Sequence, residues 1–384
     1  MKTLELVFFD AGGGHRSAAN ALRDVAEREQ RPWNMRLMNL QELLDELDIF
    51  RKLTGYRLQD LYNLMLRRGW TLGSPALVKF MHGIIHLYHP QQVRLLERHW
   101  RAEQPGMVVS VIPNFNRALW EAKQRTMPEV PMVTILTDMA DYPPHFWIER
   151  QPQYFICGTD RAYRQALDLG HPRERVFRVS GMILNPRFHE PIAVDRDRDR
   201  EALGLDPRLP TALMMFGGEG SAAMVQIAKT LAASGLELQL IAICGKGQRV
   251  REALLRMSES TGPRLRMHVE GFTREVPRFM RLADFFIGKP GPGSISEAVA
   301  RGLPVIIERN MWTLPQERYN AEWVEEEGVG IALRSFRKDI AGAVAQMLDL
   351  KKRCDFVRNV ARHENRAVFE IPGILERILN EHLE

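Results

Sequence analysis

A chain of 384 residues with 45% apolar and 26% charged side chains is that of a globular protein too long for one ordinary core, so two domains are expected. The formal charge of +5 is modest, no apolar stretch has the length of a membrane span, and the opening apolar run reads as a first strand instead of a signal segment. Cys157, Cys244 and Cys354 are odd in number, far apart and without metal-ligand spacing, which argues against a disulfide framework or a zinc site and for a reducing, cytoplasmic setting.

In chain order, residues 4–9 predict a strand, "AGGGH" a loop and residues from Ser17 onward a helix. Further strands are expected at 35–40, 107–111, 132–136, 154–157 and 176–180. Between them, residues 51–101 carry nine Lys/Arg against Asp60 and Glu97, a local balance of +7, interleaved with Tyr56, Tyr62, Trp70, Phe80 and Tyr88. Such a run suits an interfacial helix on an anionic membrane; the plainer alternative is a helix pair packed on its domain with a solvated basic face. No nucleic-acid-binding motif accompanies the charge. The polar run around "DRDRDRE" predicts a solvated linker over 189–204, separating an N-terminal domain (1–188) from a C-terminal one (205–384) whose last helix is expected to return to the first. In the second half, strands are expected at 211–216, 238–243, 265–269, 284–287, 305–307 and 329–331. Helices should start near Ser221, Gln248, Glu275, Ser294, Gln316 and Phe336. This alternation implies two parallel sheets covered on both faces, an α/β protein of two Rossmann-like halves with a ligand cleft at the carboxyl ends of the strands.

Three loops bear chemistry. "FFDAGGGHRSAANAL" lacks the third glycine of the dinucleotide fingerprint and the Gly-Lys-Ser/Thr of a phosphate loop, leaving a glycine-rich helix entry with His15 at its mouth. "MMFGGEGSAAM" repeats the arrangement, with Gly217 and Gly218 in the turn and Ser221 opening a helix. "FIGKPGPGSISEAVARGLPVII" adds a third, with Ser294 near the helix start and Glu297 a turn inside. Two glycine-rich helix entries suit a diphosphate, and Glu297 suits the two hydroxyls of a ribose.

The stretches "GGGHRSAANAL" and "KPGPGSISEAVARGLPVII" resemble the monogalactosyldiacylglycerol synthases and processive diacylglycerol glucosyltransferases, which share a superfamily with the N-acetylglucosaminyltransferase that forms lipid II. The resemblance continues through "VVSVIPNF", "TILTDMADYPPHFW", "VSGMILNPRF", "VEGFTREVPRFMRLADFFIGKPGPGSISEA" and "LPQERYNAEWV" and covers most of residues 1–335 in order. It implies a glycosyltransferase fold of the GT-B type and an inverting hexosyl transfer from a UDP-sugar. The implied acceptor is a lipid hydroxyl, plausibly that of diacylglycerol, at the inner face of an anionic membrane, and no metal or other cofactor is implied. Helix N-termini and backbone amides can stabilise a departing diphosphate in place of a divalent ion.

The same resemblance assigns roles. His15 is the expected general base, apt because imidazole titrates near working pH. Asp138 would orient it or bind the acceptor, alongside Gly13, Asn114 and Trp147. Gly217, Gly218, Ser221 and Ser294 would hold the diphosphate of the donor, and Gly14, Gly291 and Gly293 would also contact the donor. Phe272, Thr273 and Val276 would hold the uracil, Glu297 the ribose, and Gln316, Glu317 and Asn320 the sugar. The chain departs from the family on the acceptor side: Ile112 stands where S-V-H-P has histidine, His145 is displaced by one residue, and "GMILNPRF" replaces a G-I-P segment. Two other readings share the fold: a UDP-sugar epimerase or a transferase to a soluble acceptor, and a nucleotide-sugar-binding protein without turnover.

Overall fold

The computed structural model describes residues 2–10, 13–44, 88–261, 265–310 and 313–382. They form two compact units. One comprises Met1–Pro186, Leu314–Glu317 and Asn365–Glu384; the other comprises Arg187–Thr313 and Arg318–Glu364. Each carries one six-stranded sheet, with every described strand pair parallel. All twelve expected strands are present, with ends within two residues of the sequence-based bounds.

In the first unit the strands are β1 (Lys2–Phe8), β2 (Trp33–Asn39), β3 (Met107–Ser110), β4 (Met132–Ile135), β5 (Tyr154–Cys157) and β6 (Val176–Arg178), arranged β2-β1-β3-β4-β5-β6. β3, β4 and β5 are buried at every position, as continuous apolar runs in a parallel sheet covered on both faces must be. Leu4, Leu6 and Phe8 pack on one face against Leu22 and Val25 of the helix Gly14–Arg28 and against Ile371, Leu375 and Ile378 of the last helix, Ala367–Glu381. Val7 points the other way, toward Leu96 and Trp100 of the helix His89–Glu103. Glu5 shares that side and is fully buried. It accepts from the Trp100 indole at 2.6 Å and meets Arg36 and His99 at 2.9 and 3.0 Å, which hold its carboxyl below the usual range against the opposing effect of burial.

The proposed membrane segment falls mostly on residues 51–87, outside the described residues. Its described end, residues 88–101, behaves as the plainer alternative predicts: Val93, Leu95, Leu96 and Trp100 are buried on the sheet, and Arg94, Arg98 and Arg101 face solvent. Among the described residues no helix is long and apolar enough to cross a membrane.

In the second unit the strands are β7 (Thr211–Met215), β8 (Gln239–Ile243), β9 (Arg266–Glu270), β10 (Phe285–Gly288), β11 (Val305–Glu308) and β12 (Gly330–Leu333), ordered β12-β11-β10-β7-β8-β9. The charged run expected to be a solvated linker instead contains a helix, Arg196–Ala202, capped by the Asp195 carboxylate. Its Arg200 is 4% exposed. The guanidinium donates to the carbonyls of Leu282, Pro207 and Leu209 and to Asp284 Oδ2 at 2.8–3.3 Å, and this complete set of acceptors is what makes a buried arginine tolerable. The run is therefore a packing element of the second unit.

Candidate active site

In both sheets the strand order reverses once, between β1 and β3 in the first and between β7 and β10 in the second. Loops leaving the carboxyl ends of those neighbours diverge to opposite faces, and such a switch point opens a crevice suited to a ligand.

In the first unit, Gly13 caps the helix Gly14–Arg28 with φ +82° and supplies no side-chain cap. Gly13 and Gly14 are exposed, with nothing within 4 Å of a Cβ at either. His15 follows, its Nδ1 3.1 Å from Thr137 Oγ1 in the loop after β4 and its ring centroid 6.1 Å from that of Trp147. Burial pushes the imidazole below its ordinary pKa, more than a hydrogen bond to the Val111 carbonyl raises it. A carbonyl only accepts, so one ring nitrogen carries a hydrogen toward Val111; the neutral ring keeps a lone pair on the other.

Asp138 accepts from the Trp147 indole at 2.8 Å. The group found at the His15 Nδ1 is the Thr137 hydroxyl, a partner that sequence reasoning did not single out. Trp147 has no accessible surface, which corrects its expected role as an acceptor contact: it packs among Leu136, Ile148 and Phe155 and backs His15 from beneath. Asn114, with φ +67°, donates its amide to Phe146 O at 2.8 Å, tying the loop after β3 to the loop that carries Trp147.

Asp141 organises that second loop. Its Oδ1 accepts from the Trp147 amide at 2.6 Å and its Oδ2 from the His145 amide at 2.9 Å; burial raises its pKa, and these amides oppose the rise. Asp141→Ala leaves both amides without their acceptor and should lower unfolding stability by about 2 kcal/mol or more. Chemical denaturation would read this, while nucleotide affinity, a property expected of the other unit, should stay unchanged.

In the second unit, Gly217 follows β7 with φ +79° and Gly218 is exposed. The loop is pinned from the side: the Lys246 amide donates to Gly218 O at 2.8 Å, and a Cβ on Gly245, whose φ is +57°, would stand 2.3 Å from that same oxygen. Only glycine fits there. Ser221 Oγ accepts from the Ala223 amide at 3.2 Å at the start of the helix Ala223–Ala233. After β10, the helix Pro292–Ala300 is capped by Gly291 without a side-chain bond; Gly293 is exposed and Ser294 half-buried beside it.

Glu297 lies in the second turn of the same helix. Its carboxyl has no hydrogen-bond or ionic partner among the described residues, and burial alone pushes its pKa up to about 8. Asn320 is fully buried and donates to Pro290 O at 2.7 Å, fixing the loop before Gly291, while its Oδ1 has no partner among the described residues. Phe272, in the loop after β9, is 63% exposed, an unusual position for a phenylalanine and an available stacking face. Thr273 accepts from the Glu275 amide at 3.0 Å, just ahead of the helix Val276–Leu282. Gln316 and Glu317 sit half-buried in a 3-10 turn, Pro315–Glu317, that groups with the first unit.

Comparison with known proteins follows this division. The glycosyltransferase family 28 C-terminal domain matches residues 212–370. A probable monogalactosyldiacylglycerol synthase 2 of Oryza sativa subsp. indica is 30% identical over 369 residues, covering 90% of this chain and 73% of the relative. The chain belongs to the monogalactosyldiacylglycerol synthase family. It is a glycosyltransferase, and the synthase 2 of Arabidopsis thaliana extends the likeness, at 28% identity, to 96% of this chain and 79% of that one. Among solved structures, MurG of Acinetobacter baumannii (TM-score 0.65, 12% identity, 98% of this chain and 100% of that one) shares the fold. So does MnaA of S. aureus (0.61, 14%, 99% and 97%). These likenesses establish the GT-B architecture implied by the sequence.

Proposed function

We propose that the enzyme transfers a hexose, galactose or glucose, from a UDP-sugar to a lipid hydroxyl, that of diacylglycerol, with inversion at the anomeric carbon. The observation that carries the donor half is Glu297: a half-buried carboxyl without a hydrogen-bond or ionic partner among the described residues, on a helix whose N-terminus has no side-chain cap and follows a switch-point loop, is shaped to receive the two hydroxyls of a ribose. Gly217, Gly218, Ser221, Gly291, Gly293 and Ser294 then offer amides and hydroxyls to the diphosphate. Phe272, Thr273 and Val276 offer a face to the uracil, and Gln316 and Glu317 address the sugar hydroxyls. Gly14 belongs with the donor groups, Gly13 and Asn114 with the acceptor.

In this reading His15 takes the hydroxyl proton of the acceptor as its oxygen attacks C1, the bond from C1 to the UDP oxygen breaks, and UDP leaves with the electron pair. Charge on the departing diphosphate is met by helix N-termini and backbone amides, so the reaction needs no divalent ion and should proceed in EDTA. The relatives' names support the lipid acceptor, and the basic, aromatic-rich sequence of residues 51–87 supports work at an anionic membrane surface on the cytoplasmic side.

The test supplies anionic liposomes containing diacylglycerol with radiolabelled UDP-galactose or UDP-glucose. Label should enter the organic phase, and the sugar that does so names the donor. Label retained wholly in water, as an isomerised nucleotide sugar or a soluble glycoside, would overturn the lipid acceptor.

A further inference from the structure

The residue that follows β10 has no place in the roles above. β7 and β10 are neighbours in register, Met215 opposite Gly288, so the residues just beyond them emerge side by side at the switch point. Gly217 leaves one strand and Lys289 the other. A Cβ built on Gly217 would lie 3.4 Å from Lys289 Cε and 3.9 Å from its Nζ. The side chain of Lys289 is thus laid across the glycine turn, three residues ahead of the helix Pro292–Ala300. Gly288 and Pro290 on either side are buried while Lys289 is exposed, so a fixed backbone delivers its side chain to this spot. The close fit also gives Gly217 a second reason to lack a side chain, beyond its left-handed backbone.

We propose that Lys289 is a catalytic residue that contacts the diphosphate of the donor and takes up the charge developing on the β-phosphate as the bond to C1 breaks; this rests on the donor reading above. Amides and helix ends distribute partial positive charge around a phosphate, but none carries a full unit. A lysine does, as a compact and adjustable point charge. Since the diphosphate is more negative after departure than before, the ammonium holds the leaving group more strongly in the transition state than in the bound donor, and its loss falls on turnover as well as on binding.

The experiment measures binding of UDP and of uridine to the full chain, with the wild type, Lys289→Ala and Lys289→Arg, together with steady-state transfer. UDP affinity should fall about thirtyfold in Lys289→Ala while uridine affinity stays put; kcat should fall by a larger factor than KM rises; and Lys289→Arg should recover part of both. Equal losses for UDP and uridine, or unchanged UDP affinity in Lys289→Ala, would overturn the assignment. A wild-type chain that binds no UDP would overturn the donor reading itself, a result distinct from either.

Discussion

His15→Ala should reduce glycosyl transfer about a hundredfold or more while leaving UDP binding within a factor of two. The expectation follows from where the ring sits. Its Nδ1 meets the Thr137 hydroxyl, Trp147 backs it, and burial lowers its pKa. For a base, a lowered pKa means that the proton-accepting neutral form persists to more acid solution than free imidazole would allow. The acid limb of kcat/KM should therefore fall below pH 6.5, and in His15→Ala that limb should vanish along with most of the rate. Thr137→Val is the companion variant. It removes the hydroxyl at Nδ1 but leaves the ring, so it should lower the rate by roughly tenfold and move the limb without abolishing it. An alanine variant that still turns over at near the original rate would strip His15 of the role of base.

Much of this architecture was readable in the residues because parallel sheets require both faces buried. Runs such as "MVVS", "MVTI" and "YFIC" have few other uses, and their order among helical patterns placed all twelve strands. Loop positions were readable as well, since glycine pairs after strands mark turns. What sequence could not supply was which side of a loop each side chain would occupy. Trp147 and Asn320 match a binding pattern, yet both are sealed in the interior, where they brace the loops bearing His15 and Gly291. Arg200 reads as one charge among many in an alternating run; the carbonyls of Leu282, Pro207 and Leu209 and the Asp284 carboxylate, all of the second unit, make its burial stable. The places of Thr137, Asp141 and Lys289 are hidden for the same reason. Thr137 meets His15, Asp141 ties down the loop that carries Trp147, and Lys289 lies across Gly217; nothing in the spacing of their own segments announces these neighbours.

Glu297 supplies the second large effect, and it separates function from stability. Burial pushes its carboxyl up to about 8 from about 4.5, and no cation or donor among the described residues offsets this. The sign follows from linkage. Between the two values the folded chain holds a proton that the unfolded chain has lost, so stability falls as pH rises from about 4.5 to about 8 and levels off above that. Glu297→Gln removes the ionisation and should raise the melting temperature by roughly 3 °C or more at pH 8.5, with little change at pH 5. Binding should move the other way. If the carboxylate accepts two ribose hydroxyls, the variant exchanges charged acceptors for one neutral oxygen, and Glu297→Ala loses both bonds, about 3 kcal/mol or a hundredfold in UDP affinity. Because the free carboxyl is mostly protonated at pH 7 and the bound one is ionised, UDP binding should release a proton below pH 8, and affinity should rise with pH until that point. Calorimetry in buffers of different ionisation enthalpy measures the release directly. A pH-independent affinity, with no proton released at pH 7 and no gain in stability for Glu297→Gln, would place this carboxylate outside the nucleotide site.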